Sequence, residues 1–440
     1  MMTKKWQPYP TYKDSGVEWL GAIPEHWKVK KLKYLCKRSA LYGANESASD
    51  YINEGVRFLR TTDIDDSGNV VEEGAVYIDK VKVRDYLLEE GDLLLSRSGT
   101  IGRSFLYHSR YGDCAYAGYL VRFIPGDDLF PKFAFYFTKT IQFLEWLNTS
   151  AITSTIGNVN GQKYANMFLS CPPLPEQQKI AEFLDQETSK IDKLITKKER
   201  LIELLKEKRT ALISHAVTKG LNPDVPMKDS GVEWLGEIPE HWKVLLLKRI
   251  ANIRYGLGQP PPEILYGTPL IRATNVKSGR IFQKDMIYID PKQVPESRNA
   301  VLAAGEIIVV RSGAYTGDSA LIPEEYHGSI AGYDMVTTVK EGSNQFIAWQ
   351  LLSSEVRYIQ FAFHQLRAAQ PHLNAEELRG TIITFPPLPE QQKIAQFLDR
   401  ETSKIDNLIT KTRTSIDHLK EYRTALISAA VTGKIDVREH

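Results

Sequence analysis

Three cysteines in 440 residues, Cys36, Cys114 and Cys171, are too few and too scattered to staple a fold. Without CxxC spacing they exclude a disulfide framework and a zinc site, and they suit a reducing, cytoplasmic setting. Charge of one sign is lacking too: 56 Lys and Arg stand against 54 Asp and Glu, leaving +2 at neutral pH. Overall electrostatics therefore carry no vote for nucleic acid, and any such binding must come from local patches or from a partner's charge. No apolar run approaches the ~20 residues of a membrane span. The start, MMTKKWQPYP, lacks the apolar centre of a signal peptide.

Catalytic signatures are equally scarce. There is no GxxxxGK[ST] phosphate loop. Ser98-Gly99-Thr100-Ile101-Gly102 holds a glycine pair without GxGxxG spacing, so a dinucleotide or S-adenosylmethionine fold gains no support. HExxH is missing, the nine histidines stand without ligand spacing, and no Asn/Asp-Pro-Pro-aromatic tetrapeptide of an amino-methyltransferase occurs. Asp63, Asp65 and Asp66 cluster, but without the further acid and lysine of a nuclease. No catalytic and no metal-binding residue is expected.

What the chain does have is itself, twice. PPLPEQQKIAEFLDQETSKIDKLI from Pro172 returns at Pro386 as PPLPEQQKIAQFLDRETSKIDNLI, and RTALISHAVTKG from Arg209 returns at Arg423 as RTALISAAVTG. Self-similarity at one offset fixes the architecture before any local reading. From Ile180 an apolar ladder runs through Leu184, Ile191, Leu194, Leu201, Leu205 and Leu212, widened by Ile195, Ile202 and Ile213. The second copy repeats it with Ile394, Leu398, Ile405, Leu408, Leu419 and Leu426. No Gly or Pro interrupts Glu176–Lys219, Pro175 suits a helix start and Gly220 a helix stop. A helix of that length, roughly 65 Å, needs a partner as long. The partner is the second copy.

A further repeat precedes each helix. KDSGVEWLGAIPEHWKV at 13–29 recurs at 228–244 with only Ala22 changed, to Glu237. Trp19, Leu20, Trp27, His26 and His241 read as packing residues around a turn. The Lys28–Arg38 strip, with five lysines, could contact phosphates or could be a plain solvated face. In the middles, Val56–Ile64 aligns with Pro269–Val276, and Gly91–Gly99 with Gly305–Gly313; Ala117-Gly118-Tyr119 matches Ala331-Gly332-Tyr333. Short buried strands are expected there, mostly antiparallel, with helical patterns at Phe130–Leu147 and Gln345–Phe363. The fold class is α+β in each copy. Frames agree while Ala44–Phe58 and Thr100–Ala115 diverge from their counterparts, as suits one task performed on two targets.

The duplicated PPLPEQQ-headed helices, joined to two IPEHW anchors, resemble the specificity subunit of a type I restriction–modification system over nearly the whole chain. That resemblance implies two tandem target recognition domains, at 1–171 and 221–385, followed by spacer helices at 172–220 and 386–434, with a tail at 435–440. It implies an antiparallel coiled-coil spacer and approximate twofold symmetry. Each domain would read one half of a bipartite, asymmetric target in double-stranded DNA. Two methyltransferase subunits would dock on the helices and two restriction subunits would complete the ATP-dependent nuclease. S-adenosylmethionine, ATP and magnesium would belong to those partners, leaving this chain without cofactor and without catalysis.

Side chains that read base edges are Arg, Asn, Gln and Thr on loops after strands. In the first copy the candidates are Tyr42, Gly43, Arg60, Thr61, Thr62, Asp63, Arg97, Ser98, Gly99, Thr100, Arg103, Asn158 and Asn160. In the second they are Tyr255, Gly256, Arg272, Thr274, Asn275, Arg311, Ser312, Gly313, Tyr315, Thr316, Gln370 and Asn374. Arg97 and Arg311 could instead be pinned by a carboxylate, and the Asn and Gln positions could be turn-formers. If the helices run antiparallel, the chain's end returns near its start and helix length rules the gap between half-sites. Two rival readings stay in view: a single-chain methyltransferase or nuclease, active alone, and a coiled-coil scaffold without a DNA role.

Overall fold

A computed structural model describes residues 6–151, 158–362 and 372–438. The chain divides into two compact units, one of residues 1–198 with 414–440, the other of 199–413.

In the first unit a four-stranded antiparallel sheet runs in the order Cys36–Tyr42, Leu120–Pro125, Leu93–Ser96, Ser104–Leu106. The run Leu93–Leu95 is at most 1 % exposed, as a strand covered on both faces must be. A three-stranded sheet sets Val56–Leu59 between Tyr77–Ile78, antiparallel, and Cys114–Tyr116, parallel. Lys28–Lys31 pairs with Phe168–Cys171, which tethers the N-terminal anchor to the strand leading into the long helix. Helices Pro131–Phe137 and Ile141–Ala151 cover the expected Phe130–Leu147 pattern.

The second unit repeats this order. Its four strands are Ala251–Tyr255, Met335–Val339, Ile307–Val309 and Ser319–Leu321. Its three-stranded sheet sets Thr268–Ile271 between Ile287–Ile289, antiparallel, and Ile330–Ala331, parallel. Lys243–Leu246 pairs with Ile382–Phe385. A hairpin, Val276–Lys277 with Arg280–Ile281, accompanies them. The helical pattern resolves into Asn344–Leu351 and a wider-wound turn at Glu355–Phe361.

Each unit buries one ion pair in its main sheet, and the two solutions differ by one strand. Asp92 is held by Arg122 at 2.5 Å; the corresponding Glu306 is held by Arg254 at 2.5 Å. Arg122 lies directly across from Leu41, and Arg254 directly across from Val336. The arginine has exchanged places with an aliphatic cross-strand neighbour while its acid stayed put. Either strand can supply the cation because facing residues project onto the same side of a sheet.

The long helices are Leu174–Lys219 and Leu388–Val431. Their PPLPEQQ heads are docking devices. In the first unit Glu176, 7 % exposed, accepts hydrogen bonds from Tyr9 Oη (2.6 Å) and Trp27 Nε1 (3.0 Å), and pairs with His26 Nε2 at 2.8 Å. Gln177 donates to the carbonyls of Pro172 and Asp128 and accepts from Phe130 N–H. In the second unit Glu390 pairs with His241 Nε2 at 2.8 Å, and Gln391 joins Pro386 O to Ser343 N–H. An acid in a helix's first turn also suits the positive end of its dipole. The histidines and tryptophans of the two anchors thus serve packing.

Each unit contains a piece of both helices, and the pieces run antiparallel. In the first, Asp192 meets Arg423 and Lys179 reaches Arg438 O. In the second, Arg209 meets Asp406, and Gly220 lies beside Glu390. The buried seam uses Ile191, Ile195 and Ile416 in the first unit and Ile202, Leu205, Ile405 and Ile409 in the second, all under 10 % exposed. Leu194, Leu201 and Leu408, placed on the ladder by spacing alone, are instead 43, 40 and 46 % exposed. Ile180, Leu184, Ile394, Leu398 and Leu426 are fully buried, while Leu212 and Leu419 are half-buried. At its end the chain packs on the first unit's N-terminal segment: Asp436 N–H donates to Gln7 O, Tyr12 Oη to Gly433 O, and Val437 is fully buried.

Candidate nucleic-acid interface

The sequence-derived loop residues fall into two groups in each unit: one inside turns, the other around an arginine beside exposed tyrosines.

The turn group begins with Arg60 and Asp63. Asp63 is 2 % exposed; it accepts from Arg60 N–H at 2.8 Å and takes the Arg60 guanidinium at 2.8–3.0 Å. That hydrogen bond, before all other effects, raises the Arg60 pKa further. In the second unit Asn275, fully buried, accepts from Arg272 N–H and donates to the carbonyls of Phe282 and Lys284. Asp63 and Asn275 do the same job with different charge: each closes a turn from inside. In the structure the polar atoms of both side chains are engaged inside the turn. Thr61 is half-buried, whereas Thr62 and Thr274 face solvent. Asn160 and Asn374 cap short helices, accepting from Lys163 N–H and Glu377 N–H at 2.9 Å. They are the turn-formers that their sequence context allowed. Arg103 is held by Asp66 at 2.9 Å. Gln370 lies outside the described residues.

The second group is different. Arg97 follows the buried strand Leu93–Ser96, and its Cζ lies 5.0 Å from the Tyr42 ring. Arg97 N–H donates to Tyr119 O at 2.9 Å, and Arg97 O accepts from Val159 N–H at 3.0 Å. Tyr42 Oη accepts from Gly161 N–H at 3.0 Å, tying the ring to the next short helix. Gly43, just after, runs so close to the neighbouring strand that a Cβ would meet Tyr116 O at 2.2 Å; no other residue fits there.

The second unit repeats the set with tighter stacking. Arg311 Cζ lies 4.6 Å from the Tyr255 ring and 4.2 Å from the Tyr333 ring. Arg311 O accepts from Leu373 N–H at 2.8 Å, and Tyr255 Oη from Ala375 N–H at 2.9 Å. Gly256 is confined as Gly43 is, with Gly332 O at 2.2 Å from a built Cβ. Here Arg311 N–H donates to Asp334 Oδ1, and its guanidinium lies 3.1 Å from His372 Nε2. Burial pushes the Asp334 carboxyl up to about 6, against the lowering pull of Arg311. Beside these arginines Ser98 and Ser312 are half-buried, and Gly99, Thr100, Gly313 and Tyr315 are exposed. Thr316 folds its hydroxyl back onto Gly313 O. Asn158 sits half-buried one residue before Val159.

Sequence reasoning passed over Tyr119 and Tyr333, 66 and 48 % exposed at the rim of these clusters. The repeated Ala-Gly-Tyr was the signal available for them. Asp334 and His372 had none, since Leu120 and Asn158 stand in their places in the first copy.

Among the described residues no group of three or more potential ligands could hold a metal ion, and no helix is long and apolar enough to cross a membrane. The sequence model of the type I restriction modification DNA specificity domain matches residues 24–204 and again 239–418. The chain belongs to this family. It is a specificity subunit of a type I restriction–modification system, not an enzyme in its own right. It is 21 % identical to the EcoKI specificity subunit of Escherichia coli K12, over 94 % of this chain and 90 % of that one. It is 26 % identical to a putative MjaX specificity subunit of Methanocaldococcus jannaschii, over 95 and 96 %. A chain from a structure of type I restriction–modification assembly superposes with a TM-score of 0.72 at 14 % identity, covering 94 % of this chain and 99 % of that one. The HsdS subunit of Thermoanaerobacter tengcongensis gives 0.50 at 14 %, covering 94 and 98 %. Tandem specificity domains, each with a β-rich core and a long helix, are thus the fold of this family.

Proposed function

We propose that each of the two specificity domains reads one half of a bipartite, asymmetric sequence in double-stranded DNA, inside a complex whose other subunits methylate and cleave. The observation that carries this reading is the duplicated cluster of an arginine beside exposed tyrosines, set in one framework with divergent loops around it. An identical framework with different loops suits two different half-sites. The long helices act as the spacer between them, and their exposed leucines are the docking surface for two methyltransferase subunits. In the second unit Leu201 and Leu204 fall at i and i+3, on one face of the helix, and are 40 and 45 % exposed; in the first unit Leu194 is 43 % exposed. Apolar side chains in such a row favour a partner helix over water. Two restriction subunits complete the assembly, which works in the cytoplasm; S-adenosylmethionine, ATP and magnesium sit on the partner subunits.

The test is binding of the chain, co-produced with its methyltransferase partner, to host DNA fragments in competition with random duplex. Selective retention of fragments sharing one gapped motif is the expected result. Methylation by the isolated chain would favour a single-chain enzyme, and retention without sequence preference would favour a scaffold.

A further inference from the structure

Arg97 and Arg311 differ from the closely ion-paired arginines of their units. Arg60, Arg122 and Arg254 each have a carboxylate within 2.8 Å. Among the described residues no carboxylate lies within ion-pair distance of the Arg97 or Arg311 guanidinium, and the Nε of each is buried without a hydrogen-bond acceptor. What holds them is backbone on both sides, one tyrosine ring beside Arg97 and two beside Arg311, with His372 Nε2 also 3.1 Å from one outer nitrogen of Arg311. A face covered by rings leaves the in-plane N–H groups of the outer nitrogens as the reactive edge.

Resting on the DNA-reading role above, we propose that Arg97 and Arg311 are the sequence-independent contacts of the two domains, each grasping a backbone phosphate of its half-site. Their surroundings change between the copies; their position does not. Each follows a buried strand, precedes Ser-Gly, and hands its carbonyl to the N–H that leads into a short helix. Two domains that read different bases cannot both read them with one residue in one place. A contact common to both must address something common to both half-sites, and that is the sugar–phosphate backbone. A planar guanidinium already lying against tyrosine rings is suited to a phosphate, which takes two parallel N–H bonds. The copies differ in one respect that bears on strength. Leu120 occupies the position equivalent to Asp334 in the first copy, whereas the buried Asp334 lies beside Arg311 and offsets part of its charge.

The experiment uses the full chain assembled with its methyltransferase partner and a duplex carrying the motif mapped by methylation sequencing. Arg97→Ala, Arg97→Lys, Arg311→Ala and Arg311→Lys are compared for affinity over a salt series and for the motif they methylate. Each alanine variant should bind about tenfold or more weakly, with the slope of log K against log salt shallower by about 1. The motif should stay unchanged in both halves. Each lysine variant should keep the full slope, because its charge is retained, and recover only part of the affinity, because it lacks the planar two-bond geometry. If an alanine variant fails to assemble, its lysine counterpart decides: retained salt slope and motif support the assignment, and a relaxed base overturns it. Relaxation at one base position, or unchanged affinity and slope, also overturns it. If the wild-type complex does not prefer the mapped duplex to random DNA, the half-site reading itself falls, a result distinct from wild-type preference with indifferent variants.

Discussion

Arg209 on the first long helix meets Asp406 on the second at 3.1 Å, and the repeat reverses the arrangement: Arg423 on the second helix meets Asp192 on the first at 2.9 Å. Arg209 and Arg423 are equivalent in the duplication, as are Asp192 and Asp406, so each copy's arginine takes the other copy's aspartate. Surroundings make the two pairs unequal. Arg209 also donates to Ser278 O and lies over Trp349, while Arg280 shares Asp406. Asp192 is 51 % exposed. Arg209→Ala should cost ~1–3 kcal/mol and Arg423→Ala ~1 kcal/mol or less. Chemical unfolding of the two variants checks this; equal losses would contradict it.

The two helix heads carry a second inequality. Glu176 serves Tyr9, His26 and Trp27 at once, and removing it leaves buried donors without an acceptor. Glu390 pairs with His241, which is 43 % exposed, and among the described residues Trp242 Nε1 has no partner. Glu176→Ala should destabilise by ~3 kcal/mol or more, and Glu390→Ala by ~1 kcal/mol. Thermal unfolding of each variant beside wild type measures the difference.

Asp334 introduces a dependence on pH. Its carboxyl titrates at about 6 when folded, raised by burial, and near the ordinary 3.8 when unfolded. The groups that face it are the Arg311 N–H and charge and the Ala273 N–H. The folded state therefore binds the proton more tightly between those values. Stability from this group is greatest below pH ~4 and declines as pH rises through ~6. Asp334→Asn keeps an oxygen for Arg311 N–H and removes the buried charge. It should stabilise the second unit at pH 7.5 by on the order of 3 kcal/mol and flatten the decline between about pH 4 and 6. A variant less stable than wild type at pH 7.5 would contradict this.

Much of the architecture was legible because duplication and period are written in one dimension. The helices, the strands Leu93–Ser96 and Ile307–Val309, and the anchors all follow from spacing and from copies that agree. The seam between the helices was not. Ile195 and Leu194 are neighbours in sequence, and which one faces inward depends on the rotation of the helix in its pair. Nor could the fate of Asp63 and Asn275 be read from their types, since a polar residue on a loop is equally able to turn towards solvent and to close the turn beneath it. The arginine clusters lay between these extremes: Arg97 and Arg311 were visible, but Tyr42 and Tyr255, whose rings lie beside them, come from strands 55 and 56 residues away.

The account rests on two reading domains spaced by paired helices, and mapping methylated adenines across the host genome tests it most directly. Wild type should mark one motif of two short specified halves around a fixed unspecified gap. Four residues inserted after Lys198, matched by four after Thr412, add about 6 Å to each helix and should widen that gap while leaving both halves unchanged. A continuous, ungapped motif, or a gap indifferent to the insertion, would contradict the account.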